Sequence, residues 1–278
     1  MKKAVGVGVG VDATPIAYET YGGADAEPVV MIQGLGADSR GWALQRMAFR
    51  RRYRCIALDN RGVGGTAGAA RPFSLEQMAD DAVAVLDAEG VDRAHVMGAS
   101  MGGAIAQIIA VRYPERVQSL VLACTACRNP EWRRELLTEW AEAVDARGMS
   151  AMAGEGLRWL VGPRLHRRFG LWLNLMARIV LGTTPENFVA QVEAILAVDD
   201  DLRFELEGVR APTLVITGTQ DLLTPLGDAE ELHEMIPTSR LVELRGAAHA
   251  LMVEAPNAFN RAVLEFLAEI VVPAPVGP

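Results

Sequence analysis

Hydrophobic periodicity divides the chain into elements. Residues 5–11 alternate valine with glycine, residues 15–21 alternate apolar with polar side chains, and Asp12-Ala13-Thr14 lies between them. Period two marks strands, so these residues predict an antiparallel hairpin at a sheet edge, where Pro15 needs no ladder partner. Residues 28–32 form a continuous apolar run, as expected of a strand covered on both faces. Residues 53–58 give a further strand. Ser74 and Gln77 frame a capping box. The helix they open carries Leu75, Met78, Ala79, Ala82, Val83 and Leu86 on one side, and Gly90 stops it. A short strand at 94–97 precedes a helix that turns Met101, Ile105, Ile108 and Ile109 inward and ends before Pro114. Residues 117–123 are the next buried strand.

Strand and helix alternate through short connections, the signature of a parallel sheet wound on both faces. The alternation then breaks. From 126 to 207 the pattern is helical, with helix starts at Pro130, Pro163 and Pro185, and with Asp199-Asp200-Asp201 as solvated linker charges near the exit. Strand periodicity resumes at 212–217. A helix near 228–235 comes next, then a strand at 240–244 and a helix over 256–270 with Phe259, Val263, Phe266, Leu267 and Ile270 inward. The Pro- and Gly-rich end, 271–278, is expected to fray. The division predicted is a core domain of residues 1–125 and 208–278 interrupted by a helical cap, 126–207.

Composition narrows the function. The chain has 278 residues, half of them apolar, enough for one large α/β domain with an insertion. A formal charge of −8 and the lack of any basic block argue against a nucleic-acid partner. Met1-Lys2-Lys3 is followed by glycine–valine alternation and not by an apolar leader, and the most apolar stretch, 171–181, is broken by Asn174 and Arg178. The expectation is a cytoplasmic protein with no membrane partner. Cys55, Cys124 and Cys127 make no disulfide framework. Cys124-x-x-Cys127 has neither a thioredoxin context nor a second pair for zinc, so it reads as two ordinary thiols at a strand end.

The chemistry centres on Gly98-Ala99-Ser100-Met101-Gly102, a G-x-S-x-G turn between strand and helix. A serine hydroxyl needs a histidine to take its proton and a carboxylate to orient that histidine. His95 lies inside a strand, His166 in a basic cluster and His233 on a surface helix, whereas His249 sits in the small-residue loop Gly246-Ala247-Ala248-His249-Ala250 after the last strand. His249 is the predicted base. Asp221 ends the preceding strand's loop, Gly218-Thr219-Gln220-Asp221, and is the predicted acid; its competitor Asp228 reads as a helix N-cap. The two oxyanion donors expected are the N–H groups of Met101 and of Leu35, the latter in Gln33-Gly34-Leu35-Gly36 after an early strand. Asp59-x-Arg61-Gly62-x-Gly64 lacks the Lys-Ser/Thr of a phosphate loop, and Asp59 and Arg61 are expected to pair.

Together these motifs, with Glu254-x-Pro256 behind His249, resemble the α/β-hydrolase superfamily over nearly the whole chain. Their form is similar to the capped small esterases, the 3-oxoadipate enol-lactone hydrolases and the antibiotic methylesterases. The resemblance implies an α/β-hydrolase fold: a mostly parallel eight-stranded sheet with helices on both faces, an inserted helical cap, and a Ser100–Asp221–His249 triad. One departure is Gln33, where the family usually has histidine; an amide still serves local hydrogen bonding. Ser100 also speaks against epoxide hydrolase and haloalkane dehalogenase chemistry, which place aspartate at the elbow.

The activity expected is that of a serine hydrolase acting on an ester or lactone with no cofactor and no metal. The partner expected is a small-molecule ester or lactone, and a homodimer stays open. Trp132, Trp140, Trp159 and Trp172, with Met149, Met152 and Met176, fall in the cap and favour a medium-sized, largely apolar substrate. The basic cluster 164–168 would favour an anionic lactone if it faces inward. Carbon–carbon bond hydrolysis, peracid formation as in the cofactor-free haloperoxidases, and a hydrolase-fold receptor with little turnover are the alternatives.

Overall fold

The computed structural model describes residues 4–10, 12–152, 155–163, 165–167, 182–198, 200 and 202–270. Eight strands, β1 (Ala4–Val9), β2 (Pro15–Tyr21), β3 (Glu27–Ile32), β4 (Tyr53–Leu58), β5 (Ala94–Ala99), β6 (Val117–Ala123), β7 (Thr213–Gly218) and β8 (Ser239–Leu244), form one sheet in the order β1-β2-β4-β3-β5-β6-β7-β8. The β1–β2 hairpin and the β2–β4 pair are antiparallel, and every other pair is parallel. Pro15 sits at the start of β2 opposite Val9, where it interrupts little of the ladder.

The two faces of the sheet follow from alternation along each strand. Val30, Ile32, Ile56, Leu58, Val96, Leu120 and Leu122 point to one face, against α2 (Leu75–Ala88), α3 (Met101–Arg112) and α7 (Leu226–Met235). Val29, Met31, Cys55, Ala57, Met97, Val121 and Ile216 point to the other, against α1 (Ala43–Phe49) and α8 (Pro256–Glu269). The capping box forms as the sequence predicts: Ser74 accepts from the Gln77 N–H and Gln77 from the Ser74 N–H.

Between β6 and β7 every described regular element is helical. α4 (Glu131–Arg147), α5 (Glu155–Leu160) and α6 (Pro185–Leu196) surround a small core of Leu137, Trp140, Val144, Met152, Phe188 and Val192. Pro130 and Pro185 mark helix starts as expected; Pro163 and residues 165–167 are helical, and residues 168–181 lie outside the described residues. No helix among the described residues is long and apolar enough to cross a membrane.

The chain runs outward from β3 to β4 and then returns to β5 on the other side of β3. The strand order therefore reverses between β3 and β5, and in open α/β sheets ligands bind in the crevice beyond the carboxyl ends at such a point. The Ile32–Gly98 register places the loop after β3 beside the turn after β5.

Candidate active site

Ser100 is the single residue between β5 and α3, with φ 54° and ψ −122°. That region is sparsely populated by residues with a side chain and costs about 1–3 kcal/mol. The surroundings hold it there. The Ser100 N–H donates to the Ala123 carbonyl at 2.9 Å, and the Ser100 carbonyl accepts from Gly103 N–H and Thr125 Oγ1, each at 2.8 Å. The flanking glycines are required by space: a Cβ at Gly98 would overlap the Gly102 carbonyl, and one at Gly102 would overlap the Ile32 carbonyl oxygen.

His249 and Asp221 come to this serine from the loops after β8 and β7. His249 Nε2 lies 3.0 Å from Ser100 Oγ, and His249 Nδ1 lies 2.9 Å from Asp221 Oδ2. The remaining capacity of the carboxylate is filled. Oδ1 accepts from the Leu223 and Thr224 N–H groups, each at 2.9 Å, and Oδ2 accepts from Thr224 Oγ1 at 2.7 Å. Burial pushes the Asp221 carboxyl up, but the His249 charge and hydrogen bond, with the Thr224 donors, outweigh it and leave the group below its usual value. The His249 loop is also tied to the helical insertion. Ala250 N–H donates to the Leu160 carbonyl at 2.7 Å, and Glu254 accepts from Gly162 N–H at 3.0 Å.

Two backbone donors stand beside the serine. Met101 is the first residue of α3, where a helix leaves its N–H without an intrahelical acceptor. The loop Gln33–Gly36 approaches from β3, close enough that a Cβ at Gly34 would lie 3.0 Å from Ser100 Cβ. No acceptor among the described residues takes the N–H of Leu35 or of Met101. Gln33 is buried and acts as the amide was expected to: its Oε1 accepts from Gly34 N–H at 3.3 Å.

Above these groups lies a cavity of about 480 Å³ with a mainly apolar lining. Trp140, Met152, Leu137 and Phe188 face it from the insertion, and Ser100, His249 and Gln33 from the sheet edge. Ala104 and Gln107 also line it. At 1.5 Å per residue, Gln107 carries the cavity roughly 10 Å along α3 from the serine. Trp132 and Trp159 stack on each other at 6.4 Å instead, with Trp132 partly exposed. Trp172 and Met176 lie outside the described residues. In the basic cluster Arg167 is exposed and His166 half-buried, while Arg164 and Arg168 are outside the described residues. Among the described residues no group of His, Cys, Asp and Glu could hold a metal ion.

Several expectations need correction. Asp59 and Arg61 do not pair. Arg61 is fully buried and bound to Asp81 and to Asp12, with Nε–Oδ2 and Nη1–Oδ2 distances of 2.6 and 2.7 Å, while Asp59 accepts from the Ser39 and Gly65 N–H groups. Asp228 is not an N-cap. That place belongs to Pro225, and Asp228 sits in the first turn of α7, ion-paired with the buried Arg133 of α4. Asp200 is partly exposed, as a solvated linker charge should be, and it also pairs with Arg134 at 3.1 Å and accepts from Asn129 N–H; Asp199 and Asp201 lie outside the described residues. Of the other histidines, His95 and His233 fall as read, buried against Ser119 and on the surface. Cys124 and Cys127 are free buried thiols. Burial pushes Cys124 well up and Cys127 up to about 12. The sequence reading missed Thr224, three residues after Asp221, whose N–H and hydroxyl both donate to that carboxylate in an Asx turn. It also missed Gln191, a polar side chain among the buried positions of α6.

Comparison with known proteins bears on this arrangement. A family model described as the alpha/beta hydrolase fold matches residues 27–256. A Caulobacter sp. (strain K31) protein named as a carbamate hydrolase, RutD, is 31% identical over 259 residues, covering 90% of this chain and 94% of that protein. The 3-oxoadipate enol-lactonase 2 of Acinetobacter baylyi is 31% identical over 250 residues, covering 88% and 90%. The crystal structure of the enol-lactonase from Burkholderia xenovorans LB400 superposes with a TM-score of 0.88 at 31% identity, covering 95% of this chain and all of that one. By sequence and by fold together, the chain belongs to the α/β hydrolase fold family and is a hydrolase.

Proposed function

We propose that the chain is a serine hydrolase that cleaves a carboxylic ester or lactone of a medium-sized, largely apolar small molecule through an acyl-enzyme. The reading rests on one observation: beneath the apolar cavity, which Ser100 and His249 line, Ser100 Oγ lies 3.0 Å from His249 Nε2 and His249 Nδ1 lies 2.9 Å from Asp221 Oδ2.

His249 takes the Ser100 proton as the oxygen attacks the ester carbonyl. Asp221, held by four donors, fixes the imidazole with its proton on Nδ1 and stabilises the imidazolium that forms. The N–H groups of Leu35 and Met101 receive the negative oxygen. His249 then protonates the leaving alcohol and activates the water that releases the acid. The cavity volume falls within the usual range for small-molecule sites, and its apolar lining favours a neutral acyl or alkyl part. Relatives named for lactone and for carbamate chemistry stand at equal identity, so the test needs both substrate classes.

Steady-state rates on neutral esters, anionic lactones and carbamates, with Ser100→Ala as control, test the proposal. Neutral esters and lactones are expected to turn over fastest, with all rates lost in the variant. Turnover that survives Ser100→Ala, or a preference for carbamates, would overturn it.

A further inference from the structure

The three consecutive N–H groups of Gly34, Leu35 and Gly36 are treated unequally. Gly34 N–H goes to Gln33 Oε1 at 3.3 Å, Gly36 N–H goes to Gln191 Oε1 at 2.8 Å, and no described acceptor takes the one between them. The peptide groups around Leu35 are fixed as well. The Gln33 carbonyl accepts from Asn60 Nδ2 at 2.9 Å, and the Gly34 carbonyl accepts from Ala37 N–H at 3.2 Å. Gly36, third in that four-residue turn, has φ 71°, the requirement of a type II turn at its third residue. Gly36 N–H lies on the peptide next to the one that carries Leu35 N–H, so its bond to Gln191 anchors the turn from the helical insertion.

Gln191 is itself immobilised. It is fully buried, and its Nε2 donates to the Arg61 carbonyl at 2.7 Å. The Arg61 backbone in turn follows β4, and its side chain is locked by Asp12 and Asp81. One amide on α6 thus ties the helical insertion to two sheet-edge loops and satisfies both of its own ends, which is expected of a buried polar group.

We propose that Gln191 is a positioning residue for the Leu35 oxyanion donor: by anchoring Gly36 N–H, α6 holds the turn in place beside Ser100, and with it the neighbouring uncommitted N–H of Leu35. The inference rests on the serine-hydrolase reading above. It makes the insertion part of the catalytic geometry and not only a cover over the pocket.

The test compares p-nitrophenyl butyrate with its thionoester, whose sulfur is a weaker acceptor and gains less from an oxyanion donor. In Gln191→Leu the kcat for the ester is expected to fall about 10- to 100-fold, the range for a displaced catalytic group. KM should stay within about twofold, and the ester-to-thionoester rate ratio should fall with kcat. Gln191→Glu is the rescue. Full burial disfavours the charged form of a carboxyl at this position; held neutral, it offers a C=O to Gly36 and an O–H to Arg61 and should restore most of the ratio. A fall equal for ester and thionoester, an unchanged kcat in a folded Leu variant, or a Glu variant with the ratio lost would each overturn the inference. Loss of the serine-hydrolase reading gives a different result: the wild type and Ser100→Ala would then hydrolyse the ester alike.

Discussion

Replacing Asp221 by asparagine should damage the enzyme more than deleting the side chain, and the hydrogen-bond pattern says why. Among the described residues, Oδ1 of the carboxylate accepts from two donors, the N–H groups of Leu223 and Thr224. An asparagine must put its carbonyl oxygen there, because an NH2 would face two N–H groups. The NH2 is then forced to the Oδ2 position, 2.9 Å from His249 Nδ1. A donor at that place demands a lone pair on Nδ1, which moves the ring proton to Nε2. There it points at Ser100 Oγ and cannot take the serine proton. A base in the wrong tautomer costs about 10⁴-fold in kcat, or close to 5.5 kcal/mol. Asp221→Ala removes that forced donor. Thr224 Oγ1, already 3.2 Å from Nδ1, can then accept from an Nδ1–H, and the productive tautomer returns. The alanine variant should therefore keep roughly tenfold more kcat than the asparagine variant, one decade being about 1.4 kcal/mol.

Stability should run the other way. Asparagine preserves an acceptor for both loop N–H groups, whereas alanine leaves them without one, at about 1–3 kcal/mol for each group that water does not reach. For a chain of this size that is a melting temperature lower by several degrees. The assay is kcat and KM on p-nitrophenyl butyrate for both variants beside thermal unfolding. An asparagine variant within tenfold of the wild type, or an alanine variant slower than asparagine with both folded, would refute the tautomer argument.

Ser100→Ala should abolish both fluorophosphonate labelling and ester turnover, a loss on the order of 10⁴-fold or more in rate; persistent labelling at another serine would move the nucleophile. Ser100→Gly should melt higher than Ser100→Ala, since glycine accepts the backbone at φ 54° and ψ −122° without the penalty an alanine bears there, about 1 kcal/mol or more. Equal melting points would remove strain from the account of the elbow. His95, which burial holds below its usual value despite Glu27, takes a proton less readily in the fold than in the unfolded chain, where it does so below about pH 6.5. Its folded pKa is the lower one, so the unfolded state binds more protons in this window and stability falls as pH drops from 7 toward 5. Denaturant unfolding at the two pH values should show a smaller fall in His95→Gln than in the wild type; identical falls would exclude this residue.

Physical range decides which parts of the molecule the sequence exposes. The capping box, the apolar runs of β3 and β6 and the glycines of the elbow state their structure within a few residues, because a cap, a pleat or a tight turn is satisfied locally. Ser100, Asp221 and His249 are also legible, although 149 and 28 residues separate their hydrogen-bonded pairs. Each ends a strand pattern, and the ends of parallel strands share one edge. Ion pairs are different. Arg61 had Asp59 two residues away, but side chains at i and i+2 leaving a strand compete with whatever the sheet order brings over them. Here that is Asp12, 49 residues distant on the hairpin, and Asp81 on α2, 20 residues distant. Asp228 has an N-cap's composition one turn too late, because Pro225 already starts the helix and Arg133 of α4 claims the carboxylate. Gln191 carried a signal of a third kind: an amide between Phe188 and Val192, at a position where an amphipathic helix should be apolar. A polar residue on a buried helical face must find partners or destabilise the fold, so the violation of the pattern is itself the evidence that something across the interface needs that amide. The partner, Gly36 N–H, lies 155 residues away and only the folded chain identifies it.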